Sequence, residues 1–104
     1  MPTKSTKRLL PKKRKSKLKR SFSVVNRNGL HARAAAVFVK EAQKFESQVV
    51  LRHGGMEVSG RSILGVMMLG APYGATIELE VEGKDATEAM KDLGKLVKGG
   101  FHHV

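Results

Sequence analysis

Apolar and polar positions along the chain divide it into seven predicted elements. Phe22 and Val24 alternate with Ser23 and Val25, which predicts a short strand ending at Asn26. Asn28-Gly29 then signals a turn. From His31 to Phe45 the apolar residues Ala35, Phe38, Val39, Ala42 and Phe45 recur at helical spacing and share one face. Gln48 to His53 and Met56 to Ser59 flank Gly54-Gly55, a pattern that predicts a β-hairpin. Ser62 sits at the N-cap position of a short helix running from Ile63 to Leu69, which Gly70 closes. Thr76 to Glu82 alternates cleanly, with Ile77, Leu79 and Val81 on the core face and the glutamates turned to water. Asp85 and Glu88 have capping-box spacing and open a last helix. Ala86, Ala89, Met90, Leu93, Leu96 and Val97 form its buried stripe, and Gly99-Gly100 ends it. The order β-α-β-β-α-β-α predicts an α+β domain, with helices on one face of an antiparallel sheet.

With 104 residues the chain has the length of one domain. A core this small leaves little room for a deep active-site cavity. The absence of Cys excludes disulfides and thiolate zinc sites and fits a reducing compartment. No apolar run reaches the roughly 18 residues of a membrane span. The basic N-terminus is not followed by the apolar segment of a secretory signal. A soluble, monomeric, cytoplasmic protein is expected.

The net charge of +11 is unevenly placed. Residues 1–20 hold ten Lys or Arg and no acid, whereas residues 21–104 hold ten against nine acids, a net of +1. Residues 1–19 therefore read as a disordered basic tail, 20–100 as the folded domain and 101–104 as a frayed C-terminal end. The tail can contact nucleic-acid phosphates without sequence preference, but it lacks aromatics for base stacking. Nucleic-acid binding is at most an accessory property of that tail.

The candidate chemistry centres on His31, placed where a strand ends, a glycine turns the chain and a helix starts. The first N–H groups of a helix have no intrahelical partner, and the positive end of the helix dipole lies there. The dipole opposes a second positive charge, which leaves the imidazole a lone pair with which to act as a nucleophile. The same N–H groups suit an anion once one is attached. Arg33 can add a charge-assisted contact, and the Asn28 amide can orient the free ring. Judged locally, His31 is equally a simple cap or surface residue, and Arg33 a solvated one. Enzyme chemistry finds little support. Gly70-Ala71-Pro72-Tyr73-Gly74 lacks the Lys-Ser/Thr of a P-loop. His53, His102 and His103 show no metal-ligand spacing, and no general base is paired with a nucleophile. Neither a cofactor nor a metal is expected.

Taken together, two segments say more. Asn28-Gly29-Leu30-His31-Ala32-Arg33-Ala34-Ala35 resembles the active-site motif of HPr, the histidine phosphocarrier of the bacterial sugar phosphotransferase system. Arg61-Ser62-Ile63-Leu64-Gly65-Val66-Met67-Met68-Leu69-Gly70 resembles the second motif of that family, at a matching distance. The resemblance covers about residues 20–100. It implies an HPr-like open-faced β-sandwich, a four-stranded antiparallel sheet covered on one face by three helices. It also implies that His31 is phosphorylated on Nδ1 by enzyme I, which draws on phosphoenolpyruvate, and passes the group to a histidine of a IIA component. The chain would then be a carrier and not a catalyst. Arg33 matches the family's active-site arginine. Ser62 matches a serine that HPr kinase/phosphorylase modifies in some bacteria. Leu30, Ile63, Leu64 and Met67 are expected to form the partner-docking patch, while Val66 and Leu69 face the core. One departure stands out. The family usually has proline after the arginine, where this chain has Ala34. Alanine preserves the helix and leaves one more N–H near the phosphate site, so tuned phosphoryl stability or transfer rate is expected. A regulatory paralogue used in signalling is the alternative function.

Overall fold

A computed structural model of the chain describes residues 16–104; the expected tail over residues 1–15 lies outside the described residues. The elements are β1 (Ser16–Ser23), α1 (Ala32–Ala42), β2 (Gln48–His53), β3 (Met56–Ser59), α2 (Ile63–Leu69), β4 (Thr76–Gly83), α3 (Ala86–Lys98) and a short terminal helical turn, α4 (Gly100–His103). The four strands form one antiparallel sheet in the order β1-β4-β2-β3. The helices cover one face, and the other face is open. No helix among the described residues is long and apolar enough to cross a membrane.

Alternation along β4 works as predicted on the core side. Ile77, Leu79 and Val81 are buried with Leu51 of β2, Phe38 of α1 and Leu93 of α3. On the open side the expectation needs correcting, because Glu80 is only 7% exposed. Arg52 crosses the open face and donates from Nη1 to Glu80 at 2.8 Å and to Glu78 at 3.1 Å, and from Nε to Glu57 at 2.9 Å. Lys17 reaches Glu80 from the other side at 3.4 Å. Hydrogen bonding from Arg52, reinforced by the charge of Lys17, holds the Glu80 carboxyl below the usual carboxylate range.

The first strand begins earlier and ends earlier than predicted. It pairs with β4 from Ser16↔Gly83 to Ser23↔Thr76. Residues 16–19, expected in the tail, are strand because Lys17 and Lys19 lie opposite Glu82 and Glu80. Their charges are compensated across the strands rather than left to repel along the chain. Val24 continues the contact by donating its N–H to Ala75 O at 2.8 Å, but Val25 and Asn26 lie beyond the strand.

Two further readings change. Asp85 is the N-cap residue of α3 but makes no side-chain cap bond. Its carboxylate instead accepts from the N–H of Glu46 at 2.8 Å, the N–H of Ser47 at 3.0 Å and the Ser47 hydroxyl, tying the α1–β2 connection to the start of α3. These bonds, the Ser47 hydroxyl foremost, hold the Asp85 carboxyl low. The C-terminal end is docked and not frayed. Phe101 is fully buried and meets Phe38 edge to face, with ring centroids 6.4 Å apart. Apolar burial of that ring holds Phe101, His102 and His103 in left-handed backbone, at φ of 53°, 66° and 67°.

Candidate functional site

The turn before His31 is closed twice. Gly29 donates its N–H to Asn26 O at 3.1 Å, and the Asn26 side chain donates from Nδ2 to Gly29 O at 2.6 Å. Gly29 lies at φ +67°, and a Cβ there would fall 2.6 Å from Ala71 O, so the position requires glycine on both counts. Leu30 then donates to Ala71 O at 2.9 Å, which fastens the turn to the α2–β4 connection.

His31 is the N-cap residue of α1, with φ −85° and ψ −175°. Its carbonyl accepts the first helical bond from Ala35 N at 2.9 Å. Its ring performs the task usually left to Ser or Asp at this position: Nδ1 accepts from Arg33 N at 3.1 Å. An accepting Nδ1 assigns the proton of the neutral ring to Nε2, which is buried without a protein partner. The Nδ1 lone pair therefore points at the open end of the helix. Ala34 adds a second backbone N–H there with no acceptor among the described residues, and the first turn carries no acidic side chain. The Arg33 side chain is exposed and makes no ion pair among the described residues. A group attached to Nδ1 takes over the position from which the ring now accepts the Arg33 N–H, with the exposed Arg33 side chain on the same helical turn. Such an arrangement suits an anion held at the start of the helix.

Two sequence assignments are corrected. Asn28 is exposed and makes no bond to His31; the Arg33 N–H orients the ring, and Asn26 closes the turn. Leu30 is only 4% exposed and belongs to the core, because its N–H bond to Ala71 draws it inward; it cannot form a docking surface. The remaining docking candidates do face solvent. Ile63, Leu64 and Met67 are 45%, 66% and 39% exposed, and Met68 and Tyr73, not anticipated, are 61% and 64% exposed. Val66 and Leu69 are buried as expected. Since Ala71 touches the His31 turn, the helix and loop carrying these residues adjoin the histidine. Six large apolar residues in seven, more than one helix face can bury, were the available signal for Met68. Ser62 caps α2 by accepting from Gly65 N at 3.0 Å.

Comparison with known proteins identifies the family. The family model described as "PTS HPr component phosphorylation site" matches residues 18–99. The chain belongs to the HPr phosphocarrier family of the bacterial phosphotransferase system. The phosphocarrier protein HPr of Neisseria meningitidis is 45% identical over 84 residues, covering 81% of this chain and 94% of that protein. That of Cupriavidus necator is 44% identical with the same coverage. A crystal structure of HPr from Thermoanaerobacter tengcongensis superposes with a TM-score of 0.79 at 38% identity, over 84% of this chain and 98% of that one. The HPr fold thus accounts for the sheet order and the cover of three helices, while Gly100–His103 forms a left-handed turn at the end of α3.

Proposed function

We propose that His31 is the phosphoryl acceptor of this HPr-family protein, taking the group from phospho-enzyme I and giving it to a histidine of a IIA component. The observation that carries this reading is the N-cap geometry of His31, with Nδ1 directed at the Arg33 N–H. In the forward step the Nδ1 lone pair attacks phosphorus and an N–P bond forms, while the N–P bond to the enzyme I histidine breaks and its electron pair returns to that ring. The Arg33 N–H releases Nδ1 and donates to a phosphoryl oxygen, and the Arg33 guanidinium and Ala34 N–H stabilise the added charge. Transfer to the acceptor is the same exchange in reverse. The protein is a carrier whose residues hold the group while each partner supplies the other reacting ring. Ile63, Leu64 and Met67 form the partner contact, with Met68 and Tyr73 extending it; such adaptable apolar side chains suit a surface that must fit both donor and acceptor. Ser62 is a regulatory phosphorylation site for HPr kinase/phosphorylase in this reading, since a phosphate at an N-cap is favoured by the helix dipole and adds negative charge beside the contact.

The test is phosphorylation of the purified protein by enzyme I and phosphoenolpyruvate, followed by intact mass. One acid-labile phosphate is expected, absent from His31→Ala. A folded protein that takes no phosphate from an active enzyme I overturns the reading.

A further inference from the structure

The Asn26 amide lies at the meeting point of two segments distant in sequence. One Nδ2 bond goes to Gly29 O at 2.6 Å, and the other goes to the main-chain oxygen of Val104 at 3.1 Å. Asn26 is only 5% exposed. The peptide joining Gly29 to Leu30 is consequently held on both edges, its carbonyl by Asn26 and its N–H by Ala71 O. That peptide lies one residue before the Leu30–His31 peptide, so its plane fixes the entry to Leu30, from which the chain runs into the N-cap. The other anchor is unusual. Residues 101–103 adopt left-handed backbone although none is glycine. Such conformations persist where the surroundings over-determine them, and they concentrate at functional sites. Here the surroundings are the buried Phe101 ring against Phe38, on the helix that His31 caps, and the Asn26 bond to Val104.

We propose that Asn26 is a positioning residue for phosphoryl transfer at His31, and that the C-terminal turn acts through it. The proposal rests on His31 being the phosphoryl acceptor. Asn26 touches neither the phosphoryl group nor the partner surface; it sets the peptide from which the His31 cap is built. The C-terminal segment in turn fixes the Asn26 amide, which gives residues 100–104 an influence on the site without contact to it.

The test uses three variants of the full chain: Asn26→Ala, removal of residues 103–104, and both together. The two-residue removal takes away the Val104 acceptor and leaves Phe101 in the core, so the fold is retained even where Asn26→Ala proves fragile. One readout is the NMR resonances and exchange rates of the Leu30 and Arg33 amides and the His31 ring nitrogens. The other is steady-state phosphorylation by enzyme I. Asn26→Ala is expected to lower kcat roughly five-fold, the scale of one net hydrogen bond. KM should stay within roughly two-fold, because the contact surface is untouched. Removing residues 103–104 shifts the same resonances by less, and the double variant is no slower than Asn26→Ala, since the turn acts through Asn26. Unmoved resonances for Leu30, Arg33 and His31, or a double variant whose loss is the sum of the two, overturns the proposal. If the parent protein itself takes no phosphate, the carrier reading fails, and the resonances alone decide whether Asn26 and the turn govern the His31 cap.

Discussion

Gly29→Ala measures how much of the site is held by close backbone approach. At φ +67° an added Cβ costs about 1–2 kcal/mol from the left-handed conformation alone. That Cβ also lies 2.6 Å from Ala71 O and 3.0 Å from Pro72 Cα, both backbone atoms that cannot turn aside. Relief requires the α2–β4 connection to withdraw, with loss of the Leu30 N–H bond to Ala71 O, worth about 1 kcal/mol. The total of about 2–3 kcal/mol corresponds to a fall in Tm of roughly 10–20 °C for a domain of this size. Gly54 supplies the control, with φ +57° and nothing within 4 Å of its Cβ. Gly54→Ala carries the conformational cost without the contact, about 1–2 kcal/mol. Urea unfolding of both variants, with phosphate uptake at His31 measured in parallel, separates the terms. Gly29→Ala should be the less stable by about 1 kcal/mol and should slow uptake, while Gly54→Ala unfolds more easily and transfers normally. Equal stabilities, or parental uptake by Gly29→Ala, would refute the claim that the Ala71 contact holds the His31 turn.

Three other outcomes are expected. The Glu80 and Asp85 carboxyls are both held low in the folded protein, so their stabilisation is complete above their ordinary pKa values of 4.5 and 3.8 and is lost as pH falls through the lower folded values. Urea midpoints measured from pH 7 down to pH 3 should therefore decline less steeply for Glu80→Gln than for the parent; identical acid limbs would remove Glu80 from the account. Ser62→Ala should cost about 1 kcal/mol through loss of the Gly65 N–H cap, whereas Ser62→Asp, which keeps an acceptor, should unfold within roughly 0.5 kcal/mol of the parent while raising KM for enzyme I. Replacing Leu64 and Met67 together by Glu should leave stability within roughly 0.5 kcal/mol, because both are exposed, yet raise KM for enzyme I roughly ten-fold; an unchanged KM would place the contact elsewhere.

What could be read from sequence divides along physical lines. Helix α1, helix α3 and strand β4 carry long, regular apolar periods and formed on them, although α1 ends at Ala42 and leaves Phe45, the last residue of its expected face, in the following connection. The first half of strand β1 did not announce itself, because its outward side chains are Lys and Ser and its pairing to β4 depends on acids some sixty residues away. Basic residues that repel along a chain are compatible with a strand once glutamates face them across the ladder, and a single segment does not contain that information. Phe101 presented the converse problem. Flanked by Gly100 and two histidines, it shows no period, yet its ring fills a core position against Phe38. The place of His31 at the start of α1 was legible because a glycine turn met the onset of a helical period there. The division of labour between Asn26 and Asn28 was not, since both flank the same turn and only the packed structure decides which amide is buried. Leu30 was misread for the same reason: an apolar residue beside a reactive histidine faces either the partner or the core, and one backbone bond to Ala71 settles which.

If His31 is the phosphoryl acceptor, as proposed, its position also explains why so small a domain suffices for the chemistry. A phosphoryl group needs donors, and enzymes usually assemble them from several loops around a cavity that 104 residues leave little room to enclose. A helix N-terminus supplies aligned N–H groups at no cost in core volume, and capping that helix with the reactive residue places nucleophile and donors in fixed relation from one short segment. Before transfer the Arg33 N–H satisfies Nδ1; after transfer it is free for the phosphoryl oxygen, so the backbone serves both states without rearrangement. The same economy leaves the site open to solvent. An exposed phosphohistidine is reached readily by either partner, and the apolar residues of α2 beside it then have a reason to remain exposed despite the cost to solubility. In the proposed function the exposure of Leu64, at 66%, would serve transfer as much as the geometry of His31 does.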